Sequence, residues 1–327
     1  AVWFAVRASR LGTVRAYAWA GASCGLAAAA KYNGGIALVA VGTAWLVAER
    51  TTPDRLKKAG AIVGAAALAF LIGAPYTVLD MPAFLDGFAA QFSRFAAPHG
   101  SDAAWRLYLK HLSPAWARVT VPLALVGMAV ALRRAPVRWL PAVTFTLAYF
   151  YVLSSHPLVF GRYALPLIPL LCIFIAVATI ELVALLRWWR PLSRPAFAPV
   201  LVGLMAALLL WPAAAETIGW LDRLRRPDTR AMAANWLRDN TPKGTRVAVE
   251  NSGPTYLEAA GFTVAGSQML IDRPIDWYRS RVDYLVISAA DLARYGDYIA
   301  AGQTVFQVTP TPQRWGPPIV IVRLQKE

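Results

Sequence analysis

Three short polar groups, each set between apolar runs, hold the residue types that could meet an anion. The first is Lys31-Tyr32-Asn33. A lysine here is either a snorkelling interface anchor, with Tyr32 in an aromatic belt, or an ammonium that points into a cavity and attracts a phosphate as a point charge. The second lies in the segment 80–113. Pro82 opens a predicted helix reaching about Ala97, and Phe84, Phe88, Phe92 and Phe95 fall on one of its faces, with Asp86 and Ser93 opposite. Such a helix lies along a membrane surface. Gln91 falls inside the Phe stripe, where it either snorkels or points at a bound polar group. Ala97-Pro98-His99-Gly100 then turns the chain, and Trp105 and Tyr108 follow one turn apart, with Arg106 and Lys110. Aromatics with cations suit sugar rings and phosphates, and they equally suit a membrane belt. A lone histidine such as His99 is structural more often than catalytic. The third group is Ser154-Ser155-His156-Pro157 with Gly161-Arg162-Tyr163. The Arg162 guanidinium fork either holds a phosphate bidentately or anchors at the interface.

These groups are positioned by seven apolar stretches, at roughly 16–30, 34–48, 59–79, 114–132, 139–153, 163–186 and 196–215. A helix that crosses lipid needs about 20 apolar residues, and only helices or closed barrels satisfy their backbone there. The stretches show no two-residue alternation, so they read as helices. The fold expected is a polytopic α-helical membrane protein with about seven spans over 1–220. A small C-terminal α/β domain follows at 221–327. Arg162 opens the sixth span with Pro166 and Pro169 close behind, and the second proline should deform the helix start.

Composition agrees with a membrane protein. Of 327 residues, 57% are hydrophobic and 16% charged, and the mean hydropathy is +0.45. The net charge is +15. The basic residues sit beside apolar spans and no nucleic-acid-binding motif is present, so orientation and anionic headgroups account for the charge better than a nucleic acid does. Cys24 and Cys172 lie inside spans and read as small packing residues. No metal-ligand spacing, Gly-rich phosphate loop or Ser/His/Asp set stands out, so no metal site is assigned.

Sidedness follows from Lys and Arg. Arg7, Arg10 and Arg15 precede the first span. Arg50, Arg55, Lys57 and Lys58 follow the second, Arg133, Arg134 and Arg138 the fourth, and Arg187, Arg190 and Arg194 the sixth. Those connections are cytoplasmic by the rule. Lys31–Asn33, 80–113, 154–162 and everything after Glu216 then lie outside. The chain begins at Ala1, and residues 1–6 read as the tail of an earlier span, so at least one further helix is expected upstream.

Beyond Trp220 the apolar runs shorten. Asp228 can cap a helix over about 229–239. Strands are expected at 246–250, 284–288, 304–308 and 319–324, with a short helix at 290–300. Helices between buried strands imply a largely parallel sheet. This unit reads as a cap or recognition domain.

The stretch Gly25-Leu26-Ala27-Ala28-Ala29-Ala30-Lys31-Tyr32-Asn33-Gly34 resembles the "GLA…TKYN" segment of lipid-carrier-dependent GT-C glycosyltransferases. These belong to the family 39-like group that includes protein O-mannosyltransferases and the aminoarabinose transferase of lipid A. Gly73-Ala74-Pro75-Tyr76 with Asp80, the Phe-rich helix and His99, Trp105 and Tyr108 is similar to their long outer loop. Arg162-Tyr163, Pro166 and Pro169 resemble their "RY…P…P" span. Asp228-Thr229-Arg230, Asn235-Trp236-Leu237, Pro242-Lys243-Gly244 and Val282-Asp283-Tyr284-Leu285-Val286 resemble the outer domain of bacterial members. The resemblance covers nearly the whole chain. It implies a multi-pass enzyme of a bacterial-type inner membrane, with its C-terminal domain periplasmic or extracellular. The enzyme moves a sugar from a polyprenyl phosphate to a lipid, glycan or protein acceptor, with a divalent metal in some members. Lys31 would meet the donor phosphate, with Tyr32, Gln91, His99, Arg162 and Tyr163 around the same cavity. The family's catalytic Asp lies upstream of the "TKYN" segment, so it is expected outside this chain, which alone would be a partial and inactive piece.

Two other classes use the same features. A transporter or flippase for a lipid-linked anion would employ the same outer cations, although no internal repeat of the transporter kind is visible. A non-catalytic scaffold with an outer binding domain would leave Lys31 and Arg162 without a shared purpose.

Overall fold

The computed structural model describes residues 1–50, 52–96, 103–112, 117–155, 159–186, 188, 197–265 and 269–325. His99 and His156 lie outside these residues, and the side chains of 91–96 are likewise outside. The chain forms two compact units, Ala1–Pro212 and Ala213–Glu327. The boundary expected at 220/221 and the one observed both fall within a single long helix.

The first unit is helical. Helix α1 (Val2–Leu11) ends at Gly12 in the left-handed conformation, φ 61°. The Thr13 hydroxyl then caps α2 (Val14–Ala30) by accepting the Ala16 N–H. Lys31 is extended, a 3-10 helix covers Tyr32–Ala37, and α3 (Leu38–Ala48) continues from it. Helix α4 (Arg55–Gly73) follows. The expected stretch 59–79 does not run through as one helix. It breaks at Ala74, because Pro75 disfavours helical backbone in the residue before it and has no N–H to donate. Only the short α5 (Tyr76–Leu79) lies beyond the break. Next come α6 (Met81–Ala96), whose amino end Asp80 caps through Ala83 N–H, and α7 (Ala104–Leu112). Helices α8 (Ala117–Arg134) and α9 (Pro136–Ser154) lead to a second 3-10 helix, Gly161–Leu167. Pro166 lies inside that 3-10 segment, and α10 (Ile168–Leu186) begins just after it. Helix α11 (Phe197–Leu224) closes the set.

Among the described residues three helical stretches are long and apolar enough to cross a membrane: Arg55–Gly73, Gly161–Leu186 and Phe197–Leu224. Tyr32–Ala48 is apolar but shorter. Helix α11 buries none of its residues against protein, while Leu204, Leu208, Leu210 and Trp211 are all more than half exposed. An apolar surface of that extent calls for a cover other than water, as a membrane would give.

Close packing in this unit uses glycine. A Cβ at Gly21 would stand 2.3 Å from the Ile62 carbonyl oxygen, and one at Gly25 2.1 Å from that of Ala66. Gly21 and Gly25 are four residues apart, so α2 meets α4 along one glycine face, the arrangement that lets membrane helices pack by direct backbone contact. At the α3–α4 turn a buried ion pair joins Lys58 and Glu49, and Thr52 also donates to Glu49.

The second unit has five strands: β1 (Arg246–Val249), β2 (Thr263–Ala265), β3 (Tyr284–Ser288), β4 (Gly302–Val308) and β5 (Ile319–Leu324). Their order is β2-β1-β3-β5-β4. The sheet is mixed, not largely parallel. Strands β2, β1 and β3 run parallel, while β5 is antiparallel to both β3 and β4. The β4–β5 link holds only turns, with no crossover helix to carry the chain back. Along β3 the side chains alternate: Leu285 and Ile287 join one core, Val286 and Tyr284 the other. Helix α12 (Thr229–Asn240), capped by Asp228, covers the second face with Ala233 and Leu237. Helix α13 (Ile275–Arg279) brings Tyr278 to the first face. In place of one helix at 290–300, a 3-10 turn (Leu292–Tyr295) leads into α14 (Gly296–Ala300). Burial and a hydrogen bond to Glu250 push the Tyr295 phenol up to about 12.

Candidate functional site

The site is assembled from the segments either side of two helix starts. Lys31 follows α2 directly. Its N–H still donates to Ala27, and its own carbonyl accepts from Gly34. Gly34 is pressed onto the last turn of α2, where a Cβ would lie 2.2 Å from the Ala27 carbonyl oxygen. That contact closes the turn tightly and leaves Lys31 extended and exposed.

Its partner comes from the 3-10 helix before α10. The Lys31 ammonium lies 3.6 Å from the centre of the Tyr163 ring. The Arg162 guanidinium lies 5.7 Å from the same ring and 4.7 Å from that of Phe160. Cation–π contacts of this kind are worth about 0.5–1 kcal/mol at exposed sites. Tyr163 is held in turn: its carbonyl accepts from the buried Tyr149 hydroxyl at 3.1 Å, and a hydrogen bond joins the Phe160 backbone to the Tyr108 hydroxyl. Tyr108, on α7, is only 1% exposed. The aromatic pair Trp105 and Tyr108 therefore splits. Trp105 stays exposed, and Tyr108 is a buried support for the cation segment.

Tyr32 turns the other way. Its ring packs edge-on against Phe84 and Phe88 of α6, at 6.1 and 5.6 Å between centroids. Residues 31 and 32 thus join the cation cluster to the Phe face of the amphipathic helix. The backbone places Gln91 on α6 beyond Phe88. Its side chain, and His99 entirely, lie outside the described residues. Of the six residues singled out in the sequence, the structure brings Lys31, Arg162 and Tyr163 together and sets Tyr32 beside them.

The electrostatics are unusual for adjacent cations. Among the described residues neither Lys31 nor Arg162 forms an ion pair. Lys58, Arg134, Arg230 and Arg246 pair with Glu49, Glu181, Asp228 and Asp283. Partial desolvation and then the Arg162 charge pull the Lys31 ammonium below the ordinary lysine range. Two like charges held near one ring without a carboxylate oppose each other, and an anion between them relieves the repulsion. Among the described residues no group of three or more His, Cys, Asp or Glu is placed to hold a metal ion. The chemistry available is anion recognition, flanked by aromatic faces.

Sequence reading missed Tyr149 and Phe160 as supports of this site. Tyr149 sits within an apolar run and Phe160 in the connection after it, and neither stands out until the fold places it. Comparison with protein-family models, with characterised proteins and with solved structures gives no match for the chain.

Proposed function

We propose that the chain belongs to a membrane glycosyltransferase and supplies its phosphate-recognition site for a polyprenyl-phosphate sugar. In this reading all seven apolar stretches span a bacterial-type inner membrane, and the C-terminal unit lies outside it. The acceptor is a lipid, glycan or protein hydroxyl. The observation that carries the reading is the meeting of Lys31 and Arg162 around Tyr163, with no acidic partner among the described residues. A polyprenyl carrier cannot leave the bilayer, so its phosphate has to be met at the interface. The exposed ammonium and guanidinium stand at the end of apolar helices, where such a headgroup arrives. The Phe84–Phe88 face beside Tyr32 gives the chain's isoprene units an apolar neighbour.

The reaction follows from charge. An acceptor oxygen bonds to the anomeric carbon while the bond from that carbon to the phosphate oxygen breaks, and the electron pair leaves with the phosphate. Lys31 and Arg162 stabilise the charge that develops on that leaving group. Lysine contributes a point charge and arginine a fork, so the two are not interchangeable. Tyr163, Tyr149 and Tyr108 position the pair. Removal of the acceptor's proton is assigned to no residue of this chain.

The test is sugar transfer from a polyprenyl-phosphate sugar by the full-length protein. Lys31→Ala should lower turnover by about a hundredfold or more while membrane insertion is unchanged. Retained turnover would remove Lys31 from the site.

A further inference from the structure

At the amino end of α2, the end away from Lys31, a crevice opens between α1 and α2. It has a volume of about 570 Å³ and is lined by Phe4, Arg7, Leu11, Thr13, Arg15, Ala16 and Trp19. We infer that this crevice is a binding site for the phosphodiester headgroup of an anionic phospholipid. The inference rests on the membrane-spanning reading, which places this connection at the cytoplasmic leaflet. It is otherwise independent of the Lys31 site.

Four observations converge. Arg7 and Arg15 both line the crevice, and neither forms an ion pair among the described residues; the Arg7 guanidinium lies 5.3 Å from the centre of the Trp3 ring. The crevice sits at the amino end of the 17-residue α2, whose first N–H groups carry partial positive charge. The Thr13 oxygen already accepts from Ala16 N–H at 3.2 Å, which leaves its hydroxyl hydrogen to donate to a phosphate oxygen. The rest of the lining is apolar, with Leu11 and Trp19 each more than half exposed. A free phosphate would use only the cationic part. A phospholipid uses both: its phosphodiester meets the two guanidinium groups, and its glycerol and acyl roots lie along Phe4, Leu11 and Trp19. Tryptophan at this depth suits the boundary between headgroup and hydrocarbon.

General attraction of basic loops to anionic membranes is a separate effect, at roughly equal strength for every surface cation. The crevice predicts a difference between cations. Arg10 belongs to the same connection and Arg133 to another, yet neither lines the crevice.

The test uses the chain reconstituted in nanodiscs of phosphatidylcholine with a minor fraction of phosphatidylglycerol. Phosphatidylglycerol retained after release is counted by native mass spectrometry. The parent should retain phosphatidylglycerol in preference to phosphatidylcholine. Arg7→Ala/Arg15→Ala should lower that retention by about tenfold, with thermal unfolding and polyprenyl phosphate binding unchanged. The equal-charge control Arg10→Ala/Arg133→Ala should retain the lipid as the parent does, and millimolar inorganic phosphate should not displace it. Equal loss in both double variants would reduce the effect to general surface charge and overturn the site. No loss in either would overturn it as well. Displacement by inorganic phosphate would assign the crevice to a free anion and overturn the lipid.

Discussion

The protonation of one lysine gives the candidate site a measurable pH signature. In the proposed site Lys31 would meet a phosphate only as the ammonium, and desolvation together with Arg162 pulls its pKa below the usual lysine range. Affinity for a polyprenyl phosphate should therefore fall as pH rises through that depressed value, earlier than for an isolated lysine. A guanidinium stays charged throughout. Lys31→Arg should abolish the alkaline loss while binding more weakly at neutral pH, because the fork cannot reproduce the point-charge geometry. Affinity followed against pH checks this; an alkaline limb unchanged in Lys31→Arg would assign it to another group. The candidates Lys31, Tyr32, Arg162 and Tyr163 were legible in the sequence because cations and tyrosines between apolar runs are conspicuous. Their assembly was not legible. Nothing in the local sequence states that residue 31 meets residue 163, that Tyr149 holds the Tyr163 carbonyl, or that Tyr108 turns inward while Trp105 does not.

At the scale of elements, the first unit depends on how closely its helices approach. A Cβ at Gly25 would come within 2.1 Å of the Ala66 carbonyl oxygen, and the atoms it would meet are backbone, which cannot swing aside. Gly25→Leu should therefore separate α2 from α4 and lower stability by about 1–3 kcal/mol, read as a fall in the thermal midpoint in detergent. Since α2 delivers Lys31, the same variant should weaken phosphate binding. The α3–α4 turn makes a second prediction. Glu49 and Lys58 are both nearly fully buried, so removing one partner leaves an uncompensated charge. Lys58→Met should cost about 3–5 kcal/mol, and Glu49→Gln/Lys58→Met should recover much of that loss. A double variant no more stable than the single one would show that the pair's worth lies elsewhere, in its packing. Elements with strong periodicity were readable: α12, β3 and β5 fall where the residues place them. The three-residue β2 was not, because Thr263–Ala265 is too short to display alternation and becomes a strand only through its pairing with β1. The parallel reading failed for β5, since pairing direction is set by the connection and not by the strand's own residues. The break at Ala74 was written in Pro75 but hidden by an apolar run that continues past it. The Gly21–Gly25 spacing gains meaning only when α4 is found opposite.

Across the whole molecule, one set of helices carries two features. Their apolar surfaces are compatible with a membrane, most plainly along α11, which buries none of its residues against protein. Two of their connections bring exposed cations, Lys31 and Arg162, to one shared ring, with aromatic helix α6 beside Tyr32. A ligand that is itself apolar in its tail and anionic in its head matches both. The C-terminal unit keeps its own cores on the two faces of its sheet. The decisive measurement is the affinity of the chain for a polyprenyl phosphate, beside the same polyprenol without its phosphate, in the parent and in Lys31→Ala/Arg162→Ala. The account predicts a loss of about tenfold or more for the phosphate and no change for the alcohol. Equal phosphate affinity in parent and double variant would contradict it.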